Sequence, residues 1–151
     1  MDETREDLYR RHADDLVRFA TGLVGPFDAP DVVMDAVMRA FLSPSWSGVG
    51  NHRAYLYRCV FNRARTHYRS ALSRRVREQR AAVPATSEQS LPDLDVLEAV
   101  SRLSMRQRAV VVLTYWEDLT VEQVAGTLEI SEGSVRRHLA RARARLREVL
   151  R

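Results

Sequence analysis

An all-α fold, arranged as two small helical units joined by a flexible linker, is what this 151-residue sequence predicts. Three observations predict it. Apolar residues recur at helical spacing through both halves of the chain. Residues 81–93, "AAVPATSEQSLPD", break that period and are rich in Pro, Ser and Ala. Two capping boxes, Ser104 to Gln107 and Thr120 to Gln123, mark helix starts in the second half.

The elements follow in order. Tyr9, Ala13, Leu16, Ala20 and Leu23 share one face of a first helix. "GPFDAP" (Gly25–Pro30) ends it, and Pro30 suits the first turn of the next. Val32, Val33, Ala36, Val37, Ala40 and Phe41 supply the apolar face of the second helix. Ser43–Asn51 reads as a loop, and a third helix runs from about His52 to Arg77. After the linker, Leu94–Leu103 opens the second unit. The first capping box leads into Arg108–Trp116, and the second into Val121, Val124, Ala125 and Leu128. Gly126 and Ile130-Ser131 are expected between that helix and a final one capped by Ser131, a helix-turn-helix plan. The two units, 3–80 and 94–151, are expected to fold independently. Thirteen extended linker residues reach at most ~45 Å, more than one ~34 Å turn of DNA.

Composition excludes several classes. The longest apolar run is Ala109–Leu113, too short to span a bilayer. The N-terminus "MDETRED" lacks the basic and apolar regions of a signal peptide, so cytoplasmic residence is the expectation. The single Cys59, among Leu56, Val60 and Phe61, reads as a core thiol. His12, His52, His67 and His138 lack partners at ligand spacing, so no metal is expected. Neither a phosphate-cradling glycine loop nor a nucleophile–base pair is evident, so neither cofactor nor catalysis is expected.

Charge patterning is more informative than the net +4. All 24 basic residues are arginine. Residues 1–50 carry −4, 51–80 carry +8, 81–130 carry −5 and 131–151 carry +5. Two basic clusters, each closing a helical unit, are the footprint of a polyanion partner. In the final helix Val135, Leu139, Ala142, Leu146 and Val149 fall within an arc of about 100°. Arg137 and Arg141 project opposite that arc, and Arg136, Arg143, Arg145 and Arg147 flank it. Its first turn, Ser131 to Ser134, is mostly short-chained, which lets the backbone approach base edges while later arginines hold phosphates.

The stretch "LSMRQRAVVVLTYWEDLTVEQVAGTLEISEGSVRRHLARARARLRE" resembles region four of sigma-70 family transcription initiation factors. Glu129 stands where the family often has Gly. "DAPDVVMDAVMRAF" (Asp28–Phe41) and "AYLYRCVFNRARTHYR" (Ala54–Arg69) resemble region two, and the two-unit layout resembles the extracytoplasmic-function group. The resemblance implies a non-enzymatic subunit that binds core RNA polymerase, directs it to promoter DNA and assists opening. It implies minus-thirty-five contacts from Ser131, Glu132, Ser134, Arg136, Arg137 and Arg141. It implies minus-ten contacts from Trp46, Tyr55, Tyr57, Arg58, Asn62, Arg63 and Arg65, where aromatic, amide and basic groups suit unpaired bases. Trp46 could instead cap the core under its loop, and one of Tyr55 and Tyr57 could be core. Core polymerase would dock on Asp31, Met34, Asp35 and Arg39. An anti-sigma protein is a further implied partner. Met34 and Val37 depart from the family's usual Gln and Phe, Tyr55 from Trp and His67 from Asp. Two alternatives stay open: a stand-alone helix-turn-helix regulator, and a sigma-like protein that has lost polymerase binding.

Overall fold

The computed structural model describes residues 3–78 and 94–149, with side chains described for 3–70 and 95–149. The expected linker, residues 81–93, lies outside the described residues. Among the described residues the chain is helical, without strands. The first unit comprises α1 (Arg5–Val24), α2 (Ala29–Leu42), a 3₁₀ turn (Pro44–Gly48) and α3 (His52–Glu78). The second comprises α4 (Leu94–Ser101), α5 (Met105–Tyr115), α6 (Val121–Leu128) and α7 (Glu132–Val149).

Local chemistry sets the boundaries. Thr4 Oγ1 accepts from the Asp7 N–H at 3.1 Å and starts α1, with Glu6 and Asp7 favourably placed in its first turn. Gly25, at φ 89°, ends it. Pro30 sits in the first turn of α2. Asn51 Oδ1 accepts from the Ala54 N–H at 3.0 Å and starts α3. Both predicted capping boxes form, Ser104 with Gln107 ahead of α5 and Thr120 with Gln123 ahead of α6. Ser131 Oγ accepts from the Ser134 N–H at 3.0 Å, the expected cap of α7.

The turn between α6 and α7 differs from expectation. Gly126 lies inside α6, and the turn is made by Glu129 in the left-handed region at φ 56°. The Glu129 N–H closes the helix on Ala125 O, and the Ile130 N–H reaches the same carbonyl at 3.1 Å. A non-glycine residue bears a steric cost of about 1–2 kcal/mol in that conformation.

The two units do not stand apart but pack against each other. Phe19, Leu23, Val33, Tyr57 and Val60 from the first unit share one buried cluster with Val110, Leu113, Val124 and Val135 from the second. Helices α1 and α5 approach closely at Gly22, where a Cβ would overlap Val112 Cγ2. Arg108, 4% exposed, donates to Leu103 O (3.0 Å) and Ser101 O in its own unit. It also donates to Leu23 O at 2.8 Å in the other unit and lies over the Tyr68 ring. No local periodicity could have shown the contacts between the units, because their partners are distant in sequence.

Candidate nucleic-acid interface

Helix α7 presents the arginines. Val135, Leu139 and Ala142 are buried against α5 and α6, as their arc predicts. Arg136, Arg137, Arg141, Arg143, Arg145 and Arg147 are all exposed. The first turn is internally organised. Ser131 Oγ donates to Ser134 Oγ at 3.0 Å, and Arg137 donates to the same Ser134 Oγ at 3.0 Å. Glu132 lies 3.6 Å from Arg136, one turn on. Arg141 is free of any described ion pair. Arg143 donates to the Tyr115 hydroxyl at 2.6 Å and lies over its ring, which ties the middle of α7 to α5. His138 lies between these arginines. Burial first, then Arg106, Arg141 and Arg137, push its pKa below the usual histidine value.

The second candidate surface is α3 with the preceding loop. Trp46 is 8% exposed, edge-on to Phe41, stacked on His52 at 4.5 Å and edge-on to Tyr55 at 6.0 Å. It therefore caps the core beneath the loop. Asn62 is exposed, Tyr55 and Arg65 are half-buried, and Arg65 lies over the Phe61 ring. Tyr57 is the core tyrosine. It is 1% exposed, edge-on to Phe19, and donates to Glu117 at 3.0 Å. Burial and the neighbouring carboxylate raise its pKa well above the usual tyrosine value. Its place was readable, since Tyr57 precedes Val60 and Ala64 by three and seven residues and so shares their face. Arg58 and Arg63 are not free in this arrangement. Arg58 donates to Thr127 O (3.1 Å) and Gly126 O (3.2 Å) and pairs with Glu129 at 3.2 Å. Arg63 pairs with Asp35.

On α2, Asp31, Met34 and Arg39 are exposed, while Asp35 is held by Arg39 at 3.3 Å and by Arg63. Asp35 thus joins α2 to α3. Val37 is 2% exposed, so its departure from the family's Phe lies in the core and not on the outer ridge. His67 Nε2 stands 3.3 Å from Oδ2 of Asp28, the residue before α2, without a hydrogen bond between them. The sequence reading missed Phe27, Met38 and Leu42, exposed at 92%, 51% and 76%. Met34, Met38 and Leu42 make an apolar stripe along α2, and the signal was present. Met34, Met38 and Leu42 are spaced by four, and Val33, Val37 and Ala40 already fill the core face.

A helix-turn-helix unit carrying an arginine-studded outer helix, docked on a second basic helical unit, defines a two-part DNA-binding protein. Comparison with known proteins narrows the class. Residues 8–75 match the family model for Sigma-70 region 2, and residues 93–146 that for Sigma-70, region 4. The RNA polymerase sigma-E factor of Streptomyces antibioticus is 35% identical over 96% of this chain and 83% of its own length. The ECF RNA polymerase sigma factor SigL of Mycobacterium tuberculosis is 34% identical over 95% and 86%. Among solved structures, CnrH in complex with the cytosolic domain of CnrY is 25% identical, with a TM-score of 0.71 over 97% of this chain and 86% of that one. RpoE of Bartonella quintana, solved with the anti-sigma factor NepR, shares the fold at 24% identity, a TM-score of 0.69, and 96% and 97% coverage. The chain belongs to the sigma-70 family, in its extracytoplasmic-function group: it is a promoter-directing sigma factor of RNA polymerase.

Proposed function

We propose that this chain divides that task between its two units, as a cytoplasmic, non-enzymatic subunit of the polymerase. Helix α7 reads the minus-thirty-five element: its first turn faces base edges in the major groove, and Arg136 and Arg141 hold phosphates. The observation that carries this is the segregation of six exposed arginines away from the buried Val135–Leu139–Ala142 face. The first unit, residues 3–80, engages the minus-ten element through α3 and the loop bearing Trp46. Tyr55, Asn62 and Arg65 are its accessible members, Arg58 and Arg63 join once their present partners release them, and Tyr57 supports α3 from the core. Core polymerase docks on the outer ridge of α2. Asp31 and Arg39 supply charge there, and Met34 and Met38 supply apolar area. Asp35 contributes by orienting Arg39. An anti-sigma protein is a further partner, as RpoE has in its solved complex.

Co-purification with core polymerase and run-off transcription from a cognate promoter test the reading. Met34→Glu with Met38→Glu should lower polymerase retention at least tenfold, with helical content unchanged. Promoter binding without any polymerase retention would favour the stand-alone regulator. Loss of both would favour a sigma-like protein without polymerase binding.

A further inference from the structure

We propose that the free protein is self-closed, with Glu117 as the latch that holds the second unit over the DNA-facing surface of the first. The inference rests on the assignment of α3 to the minus-ten element, and it concerns how that surface is controlled.

Glu117 follows α5, and its side chain is 2% exposed. Its described partners all come from the other unit. Arg18 donates to it at 2.9 Å and Tyr57 at 3.0 Å, and Arg53 stands 3.8 Å away. A carboxylate removed from water is tolerated only when paired and hydrogen-bonded, so this one fits the closed arrangement and would be solvated in an open one. Arg58 forms the second clasp. It caps the last carbonyls of α6 and pairs with Glu129. Gly22 is the third feature, because only the absence of a side chain lets α1 and α5 meet at Val112.

Closure has a functional consequence. Arg58 is occupied by the α6 carbonyls and Glu129, so α3 cannot offer it to DNA. Geometry adds a second bar. Elements named minus-ten and minus-thirty-five lie about 25 base pairs apart, about 85 Å of duplex at ~3.4 Å per base pair. A compact chain of this length has a radius of gyration of about 15 Å, hence a width of about 40 Å. A molecule whose α3 touches α6 cannot hold both elements, so Glu117, Arg58 and the Gly22 contact must part before promoter binding.

Four proteins test this by solution X-ray scattering and by run-off transcription at limiting sigma factor. The parent should scatter as a compact particle of about 15 Å radius of gyration. Glu117→Gln, and independently Gly22→Leu, should enlarge that radius and raise transcription at least threefold. Gly22→Leu leaves every charge in place, so agreement between the two assigns the effect to opening. A Cβ on Gly22 lies 3.6 Å from Val112 Cβ, within the span of a disulfide, so Gly22→Cys with Val112→Cys and Cys59→Ser should lock the closed form. Oxidation of that triple variant should lower transcription at least tenfold, and reduction should restore it. An extended parent, or an oxidised lock as active as its reduced form, overturns the proposal. If no variant supports transcription in either redox state, the polymerase reading fails, and scattering alone decides closure.

Discussion

Replacing Arg108 by Met would probe the junction between the units at its driest point. The guanidinium is 4% exposed and has three carbonyl acceptors, without a carboxylate among its described partners. Methionine keeps most of the stem and loses every donor. Ser101 is exposed, so its carbonyl can turn to water. Leu23 and Leu103 are 1% and 2% exposed, so their carbonyls stay dry. An unmet buried carbonyl costs about 1–3 kcal/mol, and the low end applies here because the substitution also removes a buried charge. Two such carbonyls amount to about 2–3 kcal/mol. For a chain of this size that lowers Tm by about 5–10 °C, at ~2–4 °C per kcal/mol. Thermal melting followed by circular dichroism measures it. Arg108→Lys should be nearly as damaging, since an ammonium on a single carbon cannot reproduce the planar fork that meets three separated acceptors. A Tm within 2 °C of the parent for Arg108→Met would refute the reasoning, because the carbonyls would then have found water.

Three further outcomes follow. Glu129→Gly should stabilise the α6–α7 turn by about 1 kcal/mol, less ~0.5 kcal/mol for the lost, partly exposed pair with Arg58, and the rise should reach its full value in an Arg58→Ala background. Chemical denaturation of the four proteins in that cycle measures it, and a net loss would mean the left-handed backbone is unstrained. Burial and neighbouring arginines depress the pKa values of His12 and His138, so their contribution to stability is complete above the ordinary value of 6.5 and is lost as pH falls below it through the folded-state values. Denaturation midpoints should therefore fall between pH 7 and 5, and less steeply in His12→Gln/His138→Gln. Arg137→Ala should flatten preference at one base pair of the minus-thirty-five element, at a cost of ~1–3 kcal/mol on the preferred site. Arg141→Ala should weaken all sequences alike and reduce the salt slope by about one, and equal effects of the two on every sequence would merge their roles.

What could be read from the sequence was what local chemistry decides. The start of α3 at His52, both capping boxes, the Ser131 cap and the buried face of α7 all depend on residues within a turn or two of each other. What could not be read was pairing across the chain. Arg18 and Arg53 have the pattern of solvated helix arginines, and Glu117 that of a turn residue. Their meeting spans 99 residues for Arg18, and no periodicity encodes it. Asp35 illustrates a related difficulty. It sits on an outward ridge with Asp31 and Arg39, as spacing requires, yet Arg63 from the next helix claims it. Val37 and Met38 show how one position on a helix changes meaning: the first is 2% exposed and the second 51%. The two candidate DNA surfaces therefore differ in legibility. The one on α7 needs only its own helix, whereas the one on α3 depends on what the other unit does.

The placement of the two tryptophans gives the molecule optical reporters of its own. Trp46 is enclosed by Phe41, His52 and Tyr55 at the loop before α3, so its emission follows the state of that loop. Trp116 adjoins Glu117 and is 45% exposed beside α1, so its emission follows the seam between the units. Replacing either by Phe leaves the other as a single fluorophore. Loop rearrangement and unit separation then become two signals, each observable in the unlabelled protein during a single mixing experiment with polymerase or DNA.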